Sequence, residues 1–244
     1  MKYFTLQLPL LFSLFFFETG SSVAQETVTF PSKDGVTITA DKYVFKEEFP
    51  WMILCHQAGS SRGEFKDIAK RFHKLGYNCL AIDARSGNEI NGVLNETAKD
   101  AKSKGKGTEY LDAEKDIIAA IQYIFNEYRE PVTLVGSSYS ASLVLKIAVG
   151  NPQVSRVIAY SPGEYFGKKL NVKDAIKKLD KPVYVASSAD EKKGCEELVK
   201  DIVTGNKVVF APAKEGKHGA SALWKTNPGS SEYWLSLMMF LEKN

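Results

Sequence analysis

The chain has 244 residues, 44% hydrophobic, 25% charged and 11% aromatic, with a net charge of +3. This is globular composition, which excludes a disordered, collagen-like or disulfide-scaffold protein, and the length is enough to bury a full core. The near-balance of 32 basic against 29 acidic side chains gives no electrostatic case for a nucleic-acid partner, whose footprint would be a strongly basic face. The densest lysine cluster, Lys99, Lys102, Lys104 and Lys106, reads as a solvated loop.

Met1 to Gln25 carries Lys2, an apolar run around Leu8 to Phe17, and the small residues Ser21-Ser22-Val23-Ala24. Charged start, short hydrophobic stretch and small cleavage site read in that order as a secretory signal peptide over 1–24. An uncleaved anchor is the alternative, but the run is interrupted by Pro9 and Ser13 and is short of the ~20 apolar residues a span needs. The expectation is an exported protein, periplasmic or secreted, with no stable membrane insertion after cleavage and a single domain over 25–244. No Cys follows the apolar run to take a lipid. Of the three cysteines, Cys55 and Cys79 lie in strand-like apolar runs and Cys195 in a helix-like segment. They form neither a C-x-x-C pair nor a ligand spacing, so no structural zinc is expected.

Along the mature chain, Thr27 to Phe30 and Val36 to Val44 alternate apolar and polar residues around Pro31-Ser32-Lys33-Asp34-Gly35, a hairpin signal. Short, continuously apolar runs then follow: 51–55, 79–82, 132–135, 157–160, 183–186 and 208–210. Such runs suit strands of a parallel sheet covered on both faces. Between them Phe65, Ile68, Ala69, Phe72 and Leu75 repeat at helical spacing, as do Tyr110, Ala113, Ile117, Ala120, Ile121, Ile124, Phe125 and Tyr128. Thr108 stands where an N-cap for the second of these belongs. Residues 139–149 are apolar nearly all round, predicting a buried helix, and Tyr233, Trp234, Leu237, Met238 and Leu241 predict a closing amphipathic one. Alternation of this kind predicts an α/β fold, a mostly parallel sheet with the N-terminal antiparallel hairpin at one edge and helices on both faces. Residues 88–107 lack apolar periodicity and read as a long loop, functional or mobile. This loop contains Asn95-Glu96-Thr97, a glycosylation pattern only in a eukaryotic secretory pathway.

In open α/β sheets ligands sit beyond the carboxyl ends of the strands. There Leu134-Val135 runs into Gly136-Ser137-Ser138-Tyr139-Ser140 and then the buried helix. Strand, G-x-S-x-small, helix is the nucleophile-elbow context, with Ser138 at the apex and Ser140 where a second glycine is usual. The bland alternative is a tight strand-to-helix connection. A serine hydroxyl needs a neighbouring base, and of His56, His73 and His218 only His218 follows Ser138, in a loop after the last strand. His73 reads as a surface residue of its helix. The acid belongs after the strand 183–186, where Asp190 is reached first and Glu191 is the alternative. The competing reading of Asp190 is a cap for the helix that begins near Glu191. For the oxyanion, the predicted donors are the backbone N–H groups of Tyr139, which follows the nucleophile, and of Gln57, in His56-Gln57-Ala58-Gly59 after the third strand. His56 then orients that loop. Glu164 and Arg85 are weaker pocket candidates: a surface turn and a structural ion pair are the competing readings.

In this order and spacing the residues resemble the α/β-hydrolase family over most of the mature chain. The matching features are the entering hairpin, His56-Gln57-Ala58-Gly59, Asp83-Ala84-Arg85-Ser86-Gly87, the Ser138 elbow, Asp190 and His218. Among its members the chain is similar to small, lidless dienelactone-hydrolase-like and esterase-like proteins, since Tyr160 to Pro182 has room for one short helix and not for a cap domain. The dienelactone hydrolases proper use a cysteine nucleophile, from which Ser138 departs. The resemblance implies hydrolysis of a small-molecule carboxylic ester through an acyl-enzyme, with Ser138, His218 and Asp190 as the triad and no cofactor or metal. An acyltransferase or peptidase with the same triad, and a non-catalytic binding protein of this fold, are the rival readings.

Overall fold

The structure is a computed structural model and describes residues 24–244 together with Met1. The expected leader over 1–24 therefore falls almost wholly outside the described residues. In chain order, β1 (Ala24–Pro31) and β2 (Thr37–Val44) form the hairpin, followed by β3 (Trp51–Cys55), α1 (Lys66–Lys74) and β4 (Asn78–Ile82). Next come β5 (Glu89–Ile90), β6 (Val93–Leu94), α2 (Glu96–Ser103) and α3 (Glu114–Tyr128). The second half holds β7 (Val132–Ser137), α4 (Tyr139–Ala148), β8 (Val154–Tyr160) and α5 (Val172–Ala175). It ends with β9 (Val183–Ala186), α6 (Lys192–Val199), β10 (Lys207–Phe210) and α7 (Ser230–Glu242).

Eight strands make one sheet in the order β1-β2-β4-β3-β7-β8-β9-β10. The pairs β1/β2 and β2/β4 are antiparallel and all others in the sheet parallel, so the hairpin does form one edge. The apolar runs are explained by double coverage: every residue of β3, β4 and β9 is buried. The period-two alternation of a strand divides them between two cores. Met52 and Leu54 pack with Phe65, Ile68 and Phe72 around α1 and with Trp234, Leu237 and Phe240 of α7. Trp51, Ile53 and Cys55 face the opposite way, toward Ile117, Ile121 and Ile124 of α3 and Leu143 and Ile147 of α4.

Three local readings change. Residues 88–107 are not a structureless loop; they contain the β5/β6 hairpin and α2. Periodicity missed α2 because only Ala98 and Ala101 mark its buried side. Asn95 is buried and caps this helix by accepting the Ala98 N–H at 2.7 Å, so its side chain is committed to the fold. Thr108 is not the cap near α3: Glu109 and Asp112 form a capping box on the short 3-10 turn that leads into it.

Arg85 and Glu164 resolve as structural residues. Arg85 is fully buried and bridges Asp116, through Nε and Nη2, and Asp34, at 2.8 Å through Nη1. The Glu164 carboxylate accepts the Val172 and Lys173 N–H groups at the start of α5.

Candidate active site

β7 ends beside β3 and β8, so the turn leaving it rises from the middle of the sheet. Ser138 occupies that turn with φ 60° and ψ −124°, a strained conformation for a residue with a Cβ. The strain is held on both sides. The Ser138 N–H donates to Tyr160 O at 2.8 Å and its carbonyl accepts the Ala141 N–H at 2.9 Å. Gly136 is required because a Cβ there would lie 2.6 Å from both Ala141 Cα and Ser140 O, which are backbone atoms and cannot swing away. Ser140 has a positive role in place of a second glycine. Its hydroxyl accepts the Ser137 N–H at 2.9 Å and lies 2.7 Å from Cys55 O, tying the elbow to the end of β3.

The loop after β10 delivers His218. Gly219 donates its N–H to Ser161 Oγ at 3.0 Å, and Ala220 donates to Ser137 Oγ at 2.8 Å. Gly219 has φ 66°, and a Cβ there would meet Ser137 Oγ at 2.5 Å and Gln57 Oε1 at 2.9 Å. With the two following amides pinned, His218 Nε2 lies 2.8 Å from Ser138 Oγ. The structure thus brings together a hydroxyl and an imidazole 80 residues apart in sequence.

The acid on His218 Nδ1 is Glu191, not Asp190. After β9 the chain turns through 187–190 and enters α6, and the turn leaves Asp190 exposed while Glu191, at the N-cap of α6, faces the imidazole. Glutamate's extra methylene spans the remaining distance. Glu191 Oε2 accepts the hydroxyls of Ser161 at 2.7 Å and Ser188 at 2.8 Å, so both carboxylate oxygens are satisfied. Burial alone would raise this carboxyl, but the hydrogen bonds from His218, Ser161 and Ser188 outweigh it and hold it at about 2. Reciprocally, the hydrogen bond to Glu191 raises the His218 pKa above its ordinary value against partial desolvation. With the proton on Nδ1 facing a carboxylate, Nε2 is the free base and Ser138 donates to it.

Of the two predicted oxyanion donors, Tyr139 opens α4, where first-turn N–H groups have no intrahelical acceptor. Gln57 is corrected: its N–H donates at 2.9 Å to Oε2 of Glu64, a buried carboxylate folded back by the 3-10 turn Arg62–Phe65. The next amide, that of Ala58, has no acceptor among the described residues and lies in the same loop. Sequence order does not reveal the engagement of Gln57, because the acceptor reaches it only through tertiary folding.

His56 is buried and holds the loop as expected, bonding to Gln57 O through Nδ1 at 2.7 Å and accepting the Ala84 N–H through Nε2 at 2.8 Å. His73 is buried rather than exposed, its ring against Phe45 with centroids 4.0 Å apart. The three cysteines are free and buried. Beside the acid, a cavity of about 380 Å³ is lined by Pro162, Tyr165, Glu191, Cys195 and Leu198.

A sheet of this order with a strained serine at the end of its central strand and an imidazole returning from the last loop defines an α/β-hydrolase fold. Solved structures agree on the fold. An esterase from Pyrococcus furiosus superposes with a TM-score of 0.70 at 16% identity, covering 91% of each chain. A dienelactone hydrolase from Anabaena variabilis gives 0.68 at 13% identity, over 91% of this chain and 98% of the other. The esterase domain of a Rhodothermus marinus protein gives 0.62 at 14% identity, over 90% and 98%. No curated protein sequence matches the chain. The sequence profile of the dienelactone hydrolase family matches residues 40–207, more than half of the chain. The protein belongs to that family and is an ester hydrolase, a serine hydrolase of the carboxylesterase kind.

Proposed function

We propose that the protein is an exported hydrolase of small carboxylic esters, working through an acyl-enzyme on Ser138 with His218 as base and Glu191 as the acid that orients it. The observation that carries the reading is the unbroken chain from Ser138 Oγ to His218 Nε2, at 2.8 Å, and from His218 Nδ1 to Glu191. Ser138 gives its proton to Nε2 as its oxygen attacks the ester carbonyl, and the imidazolium that forms is stabilised by Glu191. The amides of Tyr139 and Ala58 hold the oxyanion, His218 protonates the departing alcohol, and water then releases the acid by the same route with His218 again as base. No step needs a metal or cofactor.

Two features support a modest, solvent-accessible substrate: His218 is exposed, and no cap domain rises from the segment between β8 and β9. The charged start, apolar run and small-residue site within residues 1–24 support export. The test is a series of p-nitrophenyl esters of graded acyl length, with fluorophosphonate labelling of wild type and Ser138→Ala. Short esters are expected to turn over and only the wild type to be labelled. Unlabelled wild type that hydrolyses no ester would leave a binding protein as the better description.

A further inference from the structure

Glu64 is a buried acid that the ester chemistry does not use. It is 1% exposed; no hydrogen bond of good geometry reaches its Oε1 among the described residues, and the Ser137 and Ser60 hydroxyls lie near enough to favour its charged form. A buried carboxylate oxygen without a well-made hydrogen bond is costly, so a residue of this kind needs a reason to be there. Its other oxygen, Oε2, accepts the Gln57 N–H at 2.9 Å, and its backbone carbonyl accepts the Trp224 indole N–H at 3.0 Å. Trp224 anchors the turn that carries Glu64 to the chain just beyond the His218 loop.

The opposite side of the same loop is held by His56. Because His56 Nε2 accepts the Ala84 N–H, the ring proton lies on Nδ1 and is donated to Gln57 O at 2.7 Å. Two consecutive peptide units are therefore fixed, the 56–57 unit through its N–H by Glu64 and the 57–58 unit through its C=O by His56. In a planar trans peptide the N–H points away from the C=O. Holding Gln57 C=O on His56 aims the Ala58 N–H to the other side. The loop leaves β3 alongside β7, with Cys55 paired to Gly136, so it stands next to the Ser138 elbow.

We infer that Glu64 and His56 are positioning residues that clamp the loop so that the Ala58 amide, and not that of Gln57, faces the oxyanion formed at Ser138. The inference rests on the ester-hydrolase reading above. It requires Glu64 as a hydrogen-bond acceptor of the right length rather than as a charge, so glutamine is expected to replace it and alanine is not.

The test compares wild type, Glu64→Gln and Glu64→Ala as full-length protein on p-nitrophenyl acetate, with thermal melts to confirm folding. Loss of one oxyanion donor costs about 10²-fold or more in kcat. Glu64→Ala is expected to lose kcat on that order with KM little changed, and Glu64→Gln to restore most of it. A folded Glu64→Ala with wild-type kcat, or one altered only in KM, overturns the proposal. Should Glu64→Ala not fold, amide NMR of the wild type before and after phosphonylation of Ser138 decides. The Ala58 and Tyr139 N–H resonances are expected to move downfield while Gln57 stays on its carboxylate. Movement of Gln57 with Ala58 unchanged overturns the clamp. Wild type that neither turns over the ester nor takes the phosphonate overturns the hydrolase reading and the clamp with it, which separates the two failures.

Discussion

Ser161 donates its hydroxyl to Glu191 Oε2 at 2.7 Å and with the same oxygen accepts the Gly219 N–H at 3.0 Å. One side chain at the end of β8 thus sets the acid and the loop carrying the base relative to each other. Its φ of 52° shows that the backbone is bent to place it there. Ser161→Ala removes both contacts and leaves the buried Gly219 amide unpaired, at a cost of about 1–3 kcal/mol. The expected result is a lower melting temperature and a fall in kcat for p-nitrophenyl acetate, with fluorophosphonate labelling slowed in parallel. Unchanged kcat in a destabilised protein would confine Ser161 to stability.

The two neighbouring acids should separate cleanly. Glu191→Gln keeps the size of the side chain but no longer holds His218 in the tautomer with its proton on Nδ1 or stabilises the imidazolium, a change that lowers kcat on the order of 10⁴-fold in a serine triad. Asp190 is exposed and no hydrogen bond joins it to His218 among the described residues, so Asp190→Asn should stay close to wild type. Steady-state kinetics on the two variants checks this, and the reverse pattern would restore Asp190 as the acid.

That pair also shows where sequence reading reaches its limit. The elbow, the base and the succession of strands, with the hairpin at one edge, follow from features written along the chain: continuous apolar runs, a small-x-Ser-x-small turn, and a single histidine downstream of it. The choice between residues 190 and 191 depends on how far the turn after β9 winds before α6 starts, which backbone torsions set and residue type does not. Gln57 and Ala58 differ in the same way. Which amide is free depends on Glu64, a residue seven positions away whose approach requires the 3-10 turn and the Trp224 contact. Likewise α2 escaped notice because alanine is a weak apolar signal, although Ala98 and Ala101 are both buried.

Activity should depend on pH through His218. The imidazole must be neutral to accept the Ser138 proton, so kcat/KM rises with pH through the histidine's pKa in the free enzyme. The hydrogen bond to Glu191 raises that pKa above the ordinary 6.5, partial burial opposing it. The acid limb of the profile is therefore expected to have its midpoint above 6.5, and in Glu191→Gln the midpoint should move down. A wild-type midpoint below the ordinary histidine value, or one unmoved in the variant, would show that another group limits the rate.

Arg85 tests the difference between a buried ion network and a substrate-binding cation. Its side chain and that of Asp116 are both 0% exposed, and Asp34, at 22%, closes the network from the hairpin loop. Arg85 holds the Asp34 carboxyl far below the usual carboxylate range. Arg85→Met takes the counter-ion from buried Asp116 and leaves it only the backbone N–H of residue 85, a situation that costs about 3–5 kcal/mol when a buried ion pair is broken on one side. For a domain of this size each kcal/mol lowers the melting temperature by roughly 2–4 °C. A marked drop in melting temperature is therefore expected, with the kcat of the remaining folded protein little changed. Pairing Arg85→Met with Asp116→Leu removes the orphaned charge along with its partner and should recover much of the loss, since apolar replacement of a buried pair is often neutral. Activity lost while the melting temperature holds would mean instead that Arg85 recognises a substrate carboxylate.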